Sequence, residues 1–266
     1  GKTMKTIQQL FDFHHKTIII SGAAGAIGSE AARFLSSLGG NIVLADLNED
    51  KVKQIAADIE KETGNATLGM KTDFTDETQI AALVDATIAK FGKISAVVNN
   101  VGWGANTPLW ESTTEKMVNA YKLNTLGSYH LTRLCMPYLK QEENASVVFS
   151  GSMVGNTPSP EFIEYSTAKA GLLNMVKSMA VASGPEVRFN SLIIGTVDNG
   201  ASSEEAGYTQ EMIDNVVKGI VLKRRGVPAD IAQAMAFLLS DAASWITGAE
   251  LTVNGGGVYK SKMPTS

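Results

Sequence analysis

Seven short runs rich in β-branched residues recur at fairly even intervals: Thr17–Ser21, Asn41–Asp46, Thr67–Met70, Ile94–Asn99, Ser146–Ser150, Arg188–Ile193 and Glu250–Val253. Most are continuously apolar rather than alternating, as strands covered on both faces require. Between them the apolar positions change to helical spacing. Behind Asn48, a helix-capping residue, Val52, Ile55, Ala56 and Ile59 fall at i, i+3, i+4, i+7, and Gly64 suits the left-handed stop. Thr75 opens a second helix with Ile80, Leu83, Val84 and Phe91 inward and Gly92 behind it. Further helices are expected over Ser29–Leu38, Glu111–Leu139 and Glu164–Ala182, the last ending at Gly184. Strands alternating with helices build right-handed βαβ crossovers. The pattern therefore predicts a single α/β domain: a doubly wound parallel sheet of about seven strands, helices on both faces.

No Pro/Gly/Ser linker, repeat or charge block divides the chain. Residues 1–15 read as an N-terminal extension, with Gly1–Thr3 ahead of Met4 set aside. Residues 16–257 form the domain and 258–266 a C-terminal tail. Thr196–Tyr208 carries neither strand nor helix signal, so a loop over roughly 196–220 is expected to bind substrate.

Composition narrows the classes. Of 266 residues 44% are hydrophobic, and the net charge of −4 gives no footprint for nucleic acid. Cys135 is the sole cysteine, which excludes an internal disulfide or a cysteine zinc site. Three histidines, His14, His15 and His130, are too few for a histidine metal centre, so no metal is expected. Neither a membrane-length apolar run nor a signal-peptide pattern occurs. A cytoplasmic protein is the expectation.

Chemistry begins at Ser21-Gly-Ala-Ala-Gly-Ala-Ile-Gly28, between the first strand and its helix. Gly22, Gly25 and Gly28 allow a sharp turn and a close approach of backbone to pyrophosphate, with Ala26 and Ile27 at the positive end of the helix. The domain is thus Rossmann-like. Asp46 ends the second strand, about 20 residues past the turn, where a carboxylate accepts from ribose hydroxyls. It would repel a 2′-phosphate, and no Arg or Lys stands at Ala23, Ala24 or Leu47 to offset it. NAD is the expected cofactor. Tyr165 and Lys169 lie four apart and share a helix face. An ammonium about 4 Å from the phenol is worth on the order of 4 kcal/mol at an effective dielectric of 20, enough to lower its pKa by a few units. Ser152, thirteen residues before Tyr165, is placed to hydrogen-bond the same substrate oxygen.

Together these pieces resemble the short-chain dehydrogenase/reductase family over nearly the whole chain. The match continues through Asp73-Phe74, Asn99-Asn-Val-Gly102, Lys122-Leu-Asn-Thr, Ile194-Gly195 and Val253-Asn-Gly-Gly256. The resemblance implies a proton-relay tetrad of Asn124, Ser152, Tyr165 and Lys169, with Asn124 holding a water at a helix distortion and Lys169 also on the nicotinamide ribose. It places Asp73 with Phe74 at the adenine and Asn99 on the adenosine side. Leu47, Asn100, Val101, Gly102, Gly195, Val197 and Asn199 complete the cofactor contacts. Ala26, Val101, Ile194 and Asn199 depart from the usual residues, and none belongs to the tetrad. Because the whole tetrad is present, turnover is favoured over a non-catalytic dinucleotide sensor.

Trp103, Met153, Phe162 and Tyr208, with Ser152, are the expected substrate contacts. Their apolar area points to a bulky or cyclic secondary alcohol or its ketone. Asn99–Leu109 and Ala243–Tyr259 resemble bacterial bile-acid hydroxysteroid dehydrogenases, whereas Leu10-Phe-Asp-Phe is similar to sugar-acid dehydrogenases. A 3-oxoacyl reductase is a third alternative, although Ala170-Gly-Leu-Leu-Asn174 lacks the arginines usual there. The family also implies a homotetramer, with a dimer as fallback. Leu172, Leu173, Met175, Val176 and Met179 are expected to meet a second chain.

Overall fold

Every residue of β1 (Thr17–Ser21) is buried, which fixes it at the centre of a sheet covered on both sides. The computed structural model describes residues 3–201, 205 and 207–257. Expectations for Gly1, Lys2, residues 202–204 and 206, and the tail 258–266 lie outside the described residues. Around β1 run β2 (Asn41–Asp46), β3 (Thr67–Lys71), β4 (Ala96–Asn99), β5 (Ala145–Ser152), β6 (Val187–Ile194) and β7 (Glu250–Val253). All pair in parallel, in the order β3-β2-β1-β4-β5-β6-β7. Ile18–Ile20 lie against Ala96–Val98, so β1 and β4 are neighbours whose following helices leave in opposite directions. Such a switch point opens a crevice at the carboxyl ends of the strands.

Successive side chains of β1 serve different cores, as strand geometry dictates. Ile18 and Ile20 pack with α2 (Ala26–Ser37), α3 (Glu49–Thr63) and α9 (Pro228–Leu239). Ile19 packs with α4 (Glu77–Phe91), α6 (Gly127–Leu139) and α7 (Ile163–Ser183). A short α1 (Ile7–Leu10), α5 (Thr114–Tyr121) and α8 (Gln210–Gly219) complete the described helices.

Local signals explain most boundaries. Asn48 caps α3 by accepting the Lys51 N–H at 3.1 Å, and Gly64 and Gly92 both adopt φ 73° where α3 and α4 stop. Four expectations need correction. Asp76, not Thr75, caps α4, accepting the Thr78 N–H at 2.9 Å. Helix α2 begins at Ala26, because Gly25 in extended backbone is its cap. The span Glu111–Leu139 is two helices joined by a π turn over Lys122–Leu126. Part of the expected loop is α8, capped by the Thr209 hydroxyl on the Met212 N–H at 3.2 Å. Helix α9 escaped the sequence pattern although Pro228 stands in its first turn and Ile231, Ala232, Met235 and Leu239 are buried. The apolar excess of α7 is also spent inside the chain: Leu172, Leu173 and Val176 are buried. Met175 and Met179 pack against the same core. The large apolar side chains left exposed nearby are Val181 near the end of α7 and Val118, Tyr121, Leu126 and Tyr129, on α5 and α6 and the turn between them.

Candidate active site

The crevice is a cleft of about 730 Å³ running from Asp46, Leu47, Thr72, Asp73 and Phe74 at one end to Ser152, Tyr165 and Lys169 at the other. Its floor is the glycine turn. Gly22 has φ +66°, and a Cβ there would lie 2.9 Å from the Asn100 carbonyl oxygen. At Gly28 a Cβ would meet the Gly22 carbonyl oxygen at 2.3 Å, so this glycine is buried by packing α2 on its own turn and does not line the cleft. Gly25 differs. Its Cβ would find nothing nearer than 3.5 Å, so the protein's own packing tolerates a side chain there. The space is open on the cleft side, and α2 starts without a side-chain cap. Uncapped first-turn N–H groups beside a cradle that a Cβ would fill suit a pyrophosphate.

Asp46 holds the turn as well as lining the cleft. One carboxylate oxygen accepts the Ala24 N–H and the other the Asn48 N–H, both at 3.1 Å. Asp73 accepts from the Thr75 N–H and hydroxyl at 2.9 and 2.7 Å. The Ser21 hydroxyl receives the Asn100 and Val101 N–H groups at 2.9 and 3.3 Å, tying the end of β4 to β1. These residues fit a dinucleotide.

At the far end Ser152 closes β5, and Tyr165 and Lys169 sit one turn apart near the start of α7. Burial raises the Tyr165 phenol above its ordinary value, while a hydrogen bond with Ser152 pulls it down. Burial lowers Lys169 to about 8. Proximity to the ammonium therefore does not set the direction for Tyr165, as the four-residue spacing suggested. Lys169 Nζ instead donates to the Ser150 carbonyl at 2.9 Å and stands 5.6 Å from the phenol ring centroid. Two glycines permit this packing: a Cβ on Gly102 would be 2.7 Å from Lys169 Nζ, and one on Gly104 would be 2.3 Å from the Tyr165 ring.

Asn124 lies in the π turn, 1% exposed. Its amide NH₂ donates to the Trp103 and Ala120 carbonyls at 3.0 and 2.9 Å, and its oxygen accepts the Trp103 N–H at 3.0 Å. Both donors are spent on backbone carbonyls and the oxygen accepts one backbone N–H, so Asn124 holds the Trp103 segment in place beside the site.

Ala26, Ile27, Val101, Trp103, Gly195 and Asn199 line the cleft where the sequence placed them. Others do not. Asn99 turns its amide to the Thr132 hydroxyl at 3.0 Å, inside the helical layer. Val197 pairs with Gly226 and faces a separate cavity of about 150 Å³. Phe162 bridges to Thr107, and Tyr208 is exposed; neither lines the cleft. Met153 lines a neighbouring chamber of about 770 Å³ that shares Gly195 and continues along Thr157, Pro158, Asn215 and Val216. Thr72, Leu123, Ser150 and Gly151 line the cleft without having been singled out; each adjoins a residue that was, except Ser150, two before Ser152. Among the described residues no cluster of His, Cys, Asp or Glu could hold a metal ion.

Comparison with known proteins agrees with this geometry. Residues 22–257 match the family model described as enoyl-(acyl carrier protein) reductase. The chain is 32% identical to the 7alpha-hydroxysteroid dehydrogenase of Escherichia coli K12, over 92% of this chain and 95% of that one. It is 31% identical to the cis-4-hydroxycyclohexanecarboxylate dehydrogenase of Sinomonas cyclohexanicum, over 92% and 97%. The structure of 7 alpha-hydroxysteroid dehydrogenase complexed with NADH and 7-oxo glycochenodeoxycholic acid superposes with a TM-score of 0.90 at 30% identity, covering 97% of this chain and all of that one. The chain belongs to the short-chain dehydrogenase/reductase family of nicotinamide-dependent oxidoreductases.

Proposed function

We propose that this protein is an NAD(H)-dependent oxidoreductase that interconverts a secondary alcohol and its ketone, with a bulky or cyclic substrate. One observation carries the reading: Ser152, Tyr165 and Lys169 meet in the same cleft as the glycine turn and Asp46. When bound, the nicotinamide supplies or accepts the hydride. Tyr165 holds the proton. In reduction its hydroxyl, kept protonated by burial, donates to the carbonyl oxygen; in oxidation its phenolate form takes the alcohol proton and becomes the phenol. The Ser152 hydroxyl hydrogen-bonds the same oxygen and orients it. Lys169, anchored on the Ser150 carbonyl, carries positive charge near the phenol below pH about 8.

Support for NAD comes from the Asp46 carboxylate at the ribose end, from the absence of a cation at Ala23, Ala24 and Leu47, and from the NADH complex of the hydroxysteroid relative. Support for a ring-bearing substrate comes from the cyclic substrates in the names of two relatives and from the apolar Trp103 and Met153 beside the site. The exposed apolar side chains of α5 and α6, with exposed Trp245 five residues ahead of the edge strand β7, favour a homotetramer. A buried, lone Cys135 suits a reducing cytoplasm, and no helix of the described residues is long and apolar enough to cross a membrane.

A panel of secondary alcohols assayed at 340 nm with each cofactor tests this reading. NADH should accumulate with at least one cyclic alcohol, and far more slowly with NADP. Turnover confined to NADP, or to no alcohol at all, contradicts it.

A further inference from the structure

Gly102-Trp103-Gly104 is wedged between two members of the catalytic set. Its flanking glycines have no room for side chains, because their Cβ positions are filled by Lys169 Nζ and the Tyr165 ring at 2.7 and 2.3 Å. The backbone of Trp103 is held from both sides by one amide, its N–H on Asn124 Oδ1 and its carbonyl on Asn124 Nδ2, each at 3.0 Å. Between two glycines, then, one large side chain projects from a fixed backbone. It is 68% exposed and lines the cleft beside Tyr165. The other two tryptophans, Trp110 and Trp245, are 90% and 98% exposed and line none of the cavities described above.

An exposed indole on an immobilised backbone costs apolar hydration and yields little packing in return. Such a side chain selects for ligands that cover it. We propose that Trp103 is a specificity-determining residue, a rigid aromatic shelf that takes the flat apolar face of a ring-bearing alcohol or ketone while its carbinol carbon sits at Tyr165. The inference rests on the dehydrogenase reading above and deepens it by naming the side chain that prefers rings to chains. Asn124 is the positioning residue beneath the shelf. Because the shelf is offered by area and flatness, not by hydrogen bonding, phenylalanine should replace it in large part and alanine should not.

Two measurements test it. The first compares kcat/KM for cyclohexanol and 2-butanol with NAD in the wild type, Trp103→Phe and Trp103→Ala. The ring-to-chain ratio should fall at least roughly tenfold in Trp103→Ala, and by no more than about threefold in Trp103→Phe. A ratio in Trp103→Ala within twofold of wild type overturns the proposal, as does equal loss in both variants. The second needs no turnover, so it separates failure of the shelf from failure of the enzymatic reading. Cholate is titrated into the protein–NAD complex while tryptophan emission is recorded. Wild type should respond saturably and Trp103→Phe should not; an unchanged response in Trp103→Phe, or none in wild type, overturns the proposal.

Discussion

Lys169 is anchored on the Ser150 carbonyl, to which Nζ donates at 2.9 Å, while standing 5.6 Å from the Tyr165 ring centroid. The two groups are buried together, and burial disfavours the charged form of each. The phenol is raised and so stays neutral, while the ammonium, lowered to about 8, keeps its charge at neutral pH and loses it under mildly alkaline conditions.

A pH dependence of opposite sign in the two directions follows. Alcohol oxidation needs Tyr165 deprotonated, so its kcat/KM should rise with pH above neutrality and through the raised phenol value. Ketone reduction needs the proton in place, so its kcat/KM should hold near neutral pH and fall at alkaline pH. Initial rates in both directions from pH 6 to 10.5 check this. Parallel profiles would remove Tyr165 as the proton carrier.

Asp46 combines a ribose-facing carboxylate with two N–H clamps on the turn. Replacing it by alanine would confound these roles, whereas Asp46→Asn keeps an acceptor and removes the charge. The NAD-to-NADP ratio of kcat/KM should drop at least roughly tenfold in Asp46→Asn, since like-charge repulsion of a 2′-phosphate is relieved. An unchanged ratio places discrimination elsewhere.

The glycines of the turn should separate by function. Gly28→Ala puts a Cβ 2.3 Å from the Gly22 carbonyl, outweighing the helix propensity gained. It should cost about 2 kcal/mol of stability. Gly25→Ala meets nothing within 3.5 Å in the protein and should leave Tm nearly unchanged while raising the KM for NAD. Thermal melts with cofactor kinetics distinguish the pair; a shared phenotype would contradict the division.

Much of this was legible in the sequence because its causes are local. Continuous apolar runs gave the strands, and Asn48, Gly64 and Gly92 the helix ends. Asp46, Ser152, Tyr165 and Lys169 carry their chemistry in residue type and spacing. What was missed depends on three-dimensional packing. Asn99 reads as a cleft residue, yet its amide is drawn to Thr132 across thirty-three positions. The residue pattern at Lys122–Leu126 does not itself show the π turn, which only the family resemblance implied as a distortion at Asn124, and the lysine–phenol spacing does not reveal the Ser150 carbonyl that captures Nζ. The apolar positions of α7 show hydrophobicity but not whether a neighbour is the same chain or another.

Assembly now rests on α5, α6 and the turn between them. Val118, Tyr121, Leu126 and Tyr129 are 46%, 41%, 40% and 39% exposed, apolar side chains that a second chain would cover. Light scattering should give about four times the chain mass of 28.2 kDa, or twice it for a dimer. Tyr121→Glu with Tyr129→Glu should lower that mass. A monomer at micromolar concentration contradicts the proposal.

The central claim is that Tyr165 moves the proton in a site that also binds the dinucleotide. Its most direct test is Tyr165→Phe, assayed for alcohol-dependent NADH formation at 340 nm and for NADH binding by cofactor fluorescence. The ring is kept and the hydroxyl removed, so turnover should fall by about 10²–10⁴-fold while NADH affinity stays within a few-fold of wild type. A variant that retains a tenth of the wild-type rate, or one that loses NADH binding along with turnover, would contradict the account.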